Sequence, residues 1–77
     1  KAIEEYERAI KIDPKYADAY SNRSLAHDAK KNYEGAIVDA GMFLKLAPEH
    51  PKAIMMRRLI VDWKKKLAER EKQGSTK

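Results

Sequence analysis

The chain has 77 residues, with 17 Lys/Arg against 12 Asp/Glu, a net charge of +5 and no cysteine. A chain of this length holds at most one small domain with a modest core, and without cysteine it has no disulfide framework and no thiolate chemistry. No apolar run approaches the roughly 20 residues that span a bilayer, and the excess charge lies at one end: residues 1–56 hold nine basic and nine acidic side chains, residues 57–77 eight and three.

The chain opens inside a helical pattern with no initiator methionine and no signal-like segment, so a longer parent protein is expected. The missing cysteines fit a reducing, cytoplasmic compartment. Ile3, Tyr6, Ala9, Ile10 and Ile12 follow the period of about 3.6 residues of a one-sided helix. Glu4, Glu5, Glu7, Arg8 and Lys11 take its outer face, where Glu4–Arg8 and Glu7–Lys11 are favourably oriented pairs. Asp13-Pro14 ends this helix, because the residue before a proline is pushed out of helical geometry.

A second helix is predicted over Ala17 to Ala29, with Ala19, Tyr20, Leu25 and Ala26 as its apolar positions and Ser24 small where helices approach closely. Arg23 stands where the pattern expects a leucine, and His27 takes an aromatic position. Lys30-Lys31-Asn32 is a polar break of the kind that joins antiparallel neighbours. The third helix, Tyr33 to Leu46, presents Ala36, Ile37, Ala40, Phe43, Leu44 and Leu46, and Pro48 closes it. A last helix is expected from around Pro51, with Ala53, Met56, Ile60, Trp63 and Leu67 along its seam and Trp63 as its buried anchor.

Residues 1–14 lie on residues 35–48 at an offset of 34: Ala2 on Ala36, Ile3 on Ile37, Ile10 on Leu44, Pro14 on Pro48. The offset continues past the prolines, with Ala19 on Ala53, Arg23 on Arg57 and Leu25 on Leu59. Tyr6 and Ala9 exchange sizes with Ala40 and Phe43, a swap that keeps packed volume roughly constant. A fixed period with a proline closing each unit signals a helical solenoid. The expected fold is therefore all-α: an antiparallel helix-turn-helix repeat array of about one and a half repeats plus a C-terminal capping helix. Residues 1–16 form the second helix of one repeat, 17–50 a complete repeat, 51–72 the cap and 73–77 a disordered tail.

With Tyr20 in the first aromatic slot, Ser24 at the small site, Tyr33 opening the second helix, Ala36 at the small central position and Pro48 at the end, the stretch 17–48 resembles a tetratricopeptide repeat. It departs from the pattern at His27 for Tyr, Lys31 for Gly, Arg23 for Leu, and in the Ala40/Phe43 exchange. Tyr20-Ser21-Asn22-Arg23-Ser24 is similar to a stretch found in chaperone-binding co-chaperones of that family. The resemblance implies a protein or peptide partner on the concave face, of the kind offered by the acidic C-terminal tails of heat-shock chaperones (Hsp70 and Hsp90). Asn22 matches a member of the family's carboxylate clamp, and Lys52 falls in phase with the next. The clamp's arginine falls at Met56, and Arg57 and Arg58 are turned away by about 100° per residue. The expected peptide-binding surface comprises Asp18, Ser21, Asn22 and Leu25 of the second helix with Lys52, Met55, Met56 and Leu59 of the fourth. A lysine there gives a carboxylate a charge-assisted hydrogen bond, and thioether side chains adapt to varied peptides.

Other function classes find less support. His27-Asp28 has the composition of an acid–base pair, but adjacent helical residues do not face each other. With no nucleophile beside a base, no Gly-rich phosphate loop and no metal-ligand spacing, neither catalysis nor a cofactor nor a metal is expected. Lys64-Lys65-Lys66 with Arg70 and Lys72 raises a nucleic-acid or anionic-surface reading. Trp63 is its one aromatic neighbour, so there is no stacking platform, and the cations suit a helix C-terminus. A solvated helix end is the expectation, and nucleic acid is not the expected partner. A structural alternative is a scaffold, or a homodimer formed through the face left open on the truncated first repeat.

Overall fold

Four α-helices, α1 (Ala2–Ile12), α2 (Ala17–Ala29), α3 (Tyr33–Leu46) and α4 (Ala53–Ser75), make up the computed structural model. It describes the backbone of residues 2–75 and the side chains of residues 3–71, and no strand occurs among the described residues. Each helix packs on the next, α1 on α2, α2 on α3 and α3 on α4, as repeat stacking requires. The fourth helix begins at Ala53 rather than Pro51 and continues to Ser75, into the stretch expected as a disordered tail. Thr76 and Lys77 of that tail lie outside the described residues. No described helix is long and apolar enough to cross a membrane.

The turns explain why the helices stop where they do. At the end of α1 the Asp13 N–H still reaches the Ala9 carbonyl at 2.9 Å, while its carboxylate accepts the Lys15 N–H at 3.2 Å. The Tyr20 hydroxyl then donates to the Pro14 carbonyl at 3.1 Å, which fastens this turn to α2. At the end of α2 the Asn32 N–H bonds to the His27 carbonyl and the Lys31 N–H to that of Asp28, both at 2.8 Å. This pair of bonds is the Schellman closure, and it needs a left-handed residue between the two helices. That residue is Lys31, with φ of 61°. Glycine holds such a conformation without steric penalty, so Lys31→Gly should raise stability by about 0.5–1 kcal/mol. A urea midpoint equal to or below that of the parent chain would count against this account of the turn.

Asn32 opens α3 by accepting the Gly35 N–H on its side-chain oxygen at 3.2 Å. Gly35 must stay bare for this. A Cβ there would lie 2.7 Å from the Asn32 amide nitrogen and 3.1 Å from the His27 ring, which marks the closest approach of α2 to α3 at this end.

One core joins α2, α3 and α4 through Tyr20, Tyr33, Ala36, Ala40, Phe43, Met56 and Trp63. Ala36 and Ala40 are fully buried and keep the α3 backbone close to its neighbours, while Phe43 and Trp63 fill the space that results. Phe43 is buried where α1 carries the small Ala9, so the exchange of bulk between repeats is realised in packing. One apolar position of the one-sided pattern proves otherwise. Ile12 is 85% exposed, because α1 packs on α2 alone whereas its counterpart Leu46 belongs to a helix with neighbours on both sides. Leu25 is 39% exposed and shares a face of α2 with Asp18 and Asn22.

Candidate functional site

α2 and α4 both pack on α3 and both run antiparallel to it, so they lie parallel to each other. Their starts are tied together by His50. Its Nδ1 accepts the Lys52 N–H at 3.0 Å, and its Nε2 sits 3.6 Å from the Asp18 carboxylate. The ring is steadied edge-on against Phe43, with centroids 5.1 Å apart. Since Nδ1 accepts, the imidazole proton is assigned to Nε2, facing Asp18.

From this tie two helix faces run side by side. On α2 the face is Asp18, Asn22 and Leu25, spaced by four and three residues. On the other side it is Lys52 followed by Met55 and Leu59 of α4, spaced by three and four. Such spacings place side chains in line along one face of a helix. Asp18, Leu25, Lys52 and Met55 are exposed, and Asn22 and Leu59 half-buried. On both helices the polar residues stand near the start and the apolar ones further along.

Two expected members do not belong. Ser21 and Met56 are fully buried, because each sits about 100° around its helix from the open face. Met56 therefore supplies core volume, and the position of the family's clamp arginine is turned inward. The Ser21 hydroxyl has no hydrogen-bond partner, although the Ser21 carbonyl accepts from Ser24 Oγ at 2.6 Å. A buried hydroxyl without a partner destabilises, and alanine is the best helix former. Ser21→Ala should therefore stabilise by about 1 kcal/mol, read as a rise of roughly 4–8 °C in Tm. A fall in Tm would mean that the hydroxyl has a partner after all.

The residues that broke the repeat pattern form a polar cluster between α2 and α3. Arg23 clasps Asp39 of α3 in two parallel bonds, Nε and Nη2 each 2.7 Å from a carboxylate oxygen. Asp39 is 2% exposed. This bond to Asp39 holds the Arg23 guanidinium above its ordinary pKa, against the opposing effect of burial. His27 completes the cluster: Nε2 lies 3.4 Å from Asp39, and Nδ1 lies 3.2 Å from the Asn32 side-chain nitrogen. Asn32 uses its oxygen for the Gly35 cap, so its NH₂ faces the ring and His27 is assigned its proton on Nε2. The cluster fastens α2 to α3, with the Asp39 carboxylate buried at its centre.

The basic C-terminal end is likewise partly committed. Lys66 Nζ and the Arg70 guanidinium lie 5.3 and 5.1 Å from the centre of the Tyr33 ring, and Arg70 also donates to the Lys31 carbonyl at 3.0 Å. These two cations hold α4 against the start of α3 through cation–π contacts. No cluster of His, Cys, Asp or Glu suited to a metal ion occurs among the described residues.

Comparison with known proteins agrees with this geometry. A family model described as TPR repeat matches residues 1–31. Over 49 residues the chain is 39% identical to the small glutamine-rich tetratricopeptide repeat-containing protein 2 of Saccharomyces cerevisiae, a match covering 64% of this chain and 14% of the yeast protein. The chain thus spans about a seventh of the length of that curated relative. No solved structure matches the chain closely enough to be counted as similar.

Proposed function

We propose, from the match of residues 1–31 to a tetratricopeptide repeat model and the likeness to a tetratricopeptide repeat-containing yeast protein, that the exposed faces of α2 and α4 bind a peptide ending in a free carboxylate. An acidic chain terminus such as that of a heat-shock chaperone has the right chemistry. Asn22 and Lys52 are the donors: the lysine gives a charge-assisted hydrogen bond to the terminal carboxylate, and the asparagine amide a neutral one that fixes orientation. Leu25, Met55 and Leu59 receive the apolar side chains that precede the terminus, and Met55, with its flexible thioether, adapts to them.

The observation that carries this reading is the His50 tie. Its ring takes the Lys52 backbone N–H on one side and faces Asp18 on the other, and Asn22 follows one turn along α2. With Met56 turned inward, no arginine stands at the clamp's remaining position on α4. The affinity therefore rests on two donors and is modest.

The test is a backbone-amide NMR titration with an acidic chaperone-tail peptide, using its C-terminally amidated form as control. Shifts are expected at Asn22, Leu25, Lys52, Met55 and Leu59, reduced by amidation and lost in the combined Asn22→Ala, Lys52→Ala variant. Undiminished binding by that variant, or by the amidated peptide, would sink the carboxylate reading.

A further inference from the structure

The parallel helices α2 and α4 are joined at both ends. Where they begin, His50 lies between Asp18 and the Lys52 N–H. Where α2 stops, Arg70 of α4 donates to the Lys31 carbonyl at 3.0 Å. This second junction brings Lys30, Lys31, Lys66 and Arg70, all exposed, to one end of the pair. None of the four forms an ion pair among the described residues.

Two further features set this junction apart from an ordinary solvated helix end. Lys31 holds the left-handed φ of 61° that glycine adopts without strain. A lysine kept there at a cost to the fold marks a position that serves something other than folding. On α4, Lys66 and Arg70 also continue the face that begins at Lys52. Steps of three, four, seven and four residues lead from Lys52 through Met55, Leu59 and Lys66 to Arg70. All five stay within about 60° of one another around the helix. Asp62 borders that face between Leu59 and Lys66.

We propose, resting on the carboxylate reading above, that this basic junction binds acidic side chains of the same peptide, about six to eight residues before its terminus. The register follows from length. Fourteen and eighteen residues separate Lys52 from Lys66 and Arg70, about 21 and 27 Å along a helix. An extended peptide covers those distances in about six and eight residues. Between the two ends lie the apolar Leu25, Met55 and Leu59, and Asp62 disfavours an acid just short of the junction. A single-stranded nucleic acid suits the junction less well. Its aromatic ring, Tyr33, is buried and faced by Lys66 and Arg70, so it offers no surface on which a base can stack.

The experiment is a fluorescence-anisotropy titration with three peptides that end in a free carboxylate, at low and at high salt. The first carries glutamates six to eight residues before its end, and the second has glutamines there. The third has the glutamates moved well upstream, beyond the reach of the junction. The first should bind about fivefold more tightly than the others at low salt, and added salt should remove the difference. Lys30→Ser with Lys31→Gly should abolish that preference without lowering the urea midpoint, since the left-handed position is relieved. A merely structural role for Lys31 does not weaken binding in a chain that is at least as stable. Equal affinity for the first two peptides, or an undiminished preference in the double variant, overturns the proposal. So does a third peptide that binds as well as the first, or a single-stranded oligonucleotide that binds more tightly than it. The carboxylate reading is scored separately, by the affinity lost when the glutamine peptide is amidated at its C-terminus.

Discussion

Arg23→Leu, which places in α2 the residue type that the repeat pattern expects there, should lower the unfolding free energy by about 3–5 kcal/mol. Leucine is the better match to the family and the worse residue for this chain. The reason is Asp39, whose side chain is 3% exposed and takes two bonds of 2.7 Å from the Arg23 guanidinium. Without the arginine, that carboxylate keeps a single ring nitrogen of His27 at 3.4 Å. Asp39→Leu should be milder, about 2–3 kcal/mol, because the stranded arginine is 20% exposed and partly hydrated. Removing both ends together is the decisive comparison. Arg23→Leu with Asp39→Leu leaves no buried charge and should recover most of the loss. A chain of this length has on the order of 4–12 kcal/mol of stability in all, so Arg23→Leu should remove a large share of it. Urea unfolding followed by circular dichroism gives all four corners of the cycle. If Arg23→Leu falls within 1 kcal/mol of the parent, the pair is ornamental.

That pair also shows where the sequence stops being readable. The period of 34 and the prolines at 14 and 48 make the helical array legible, since each repeat copies the apolar positions of the last. An ion pair 16 residues apart has no such echo. Its one trace was two charged residues at inward helical positions, Arg23 three after Tyr20 and Asp39 three after Ala36. Two inward charges of opposite sign on helices joined by a tight turn are a reason to look for a partner rather than for a defect. The basic end was harder. Lys66 and Arg70 read as solvated because nothing in the linear order sets them against Tyr33, which is reached only once α4 folds back over α3.

The exposed faces of α2 and α4 were legible to within one residue of helical rotation. Asn22, Leu25, Met55 and Leu59 lie on the open faces, while their neighbours Ser21 and Met56 do not. The seam Ala53, Met56, Ile60, Trp63 already allots Met56 to the inside. Ser21 carries no comparable signal, because a serine is tolerated on either face. His50 escaped notice for a different reason: it stands in a turn, outside any periodic pattern, and its role appears only when Asp18 and Lys52 are placed on either side of it.

Trp63→Ala should detach the second half of α4 and lower the unfolding free energy by about 3–5 kcal/mol. Trp63 is the largest fully buried side chain, and it ties α4 into the cluster that includes Phe43, Ala40 and Tyr33. Beyond it α4 is charged, and Leu67 is its one further apolar residue packed on that cluster. The cation–π contacts of Lys66 and Arg70 with Tyr33 supply about 0.5–1 kcal/mol each, and only while the helix is held in place. Isolated helical segments of such length are marginal in water, so without the indole the helix should fray from residue 63 onward. Native-state hydrogen exchange separates this from a uniform loss of stability. Protection should fall first at amides 64–71 and last in α2 and α3, with Trp63→Phe intermediate. Equal loss of protection in all four helices would mean that Trp63 anchors the whole array, and that α4 belongs to one cooperative unit with the repeat it covers.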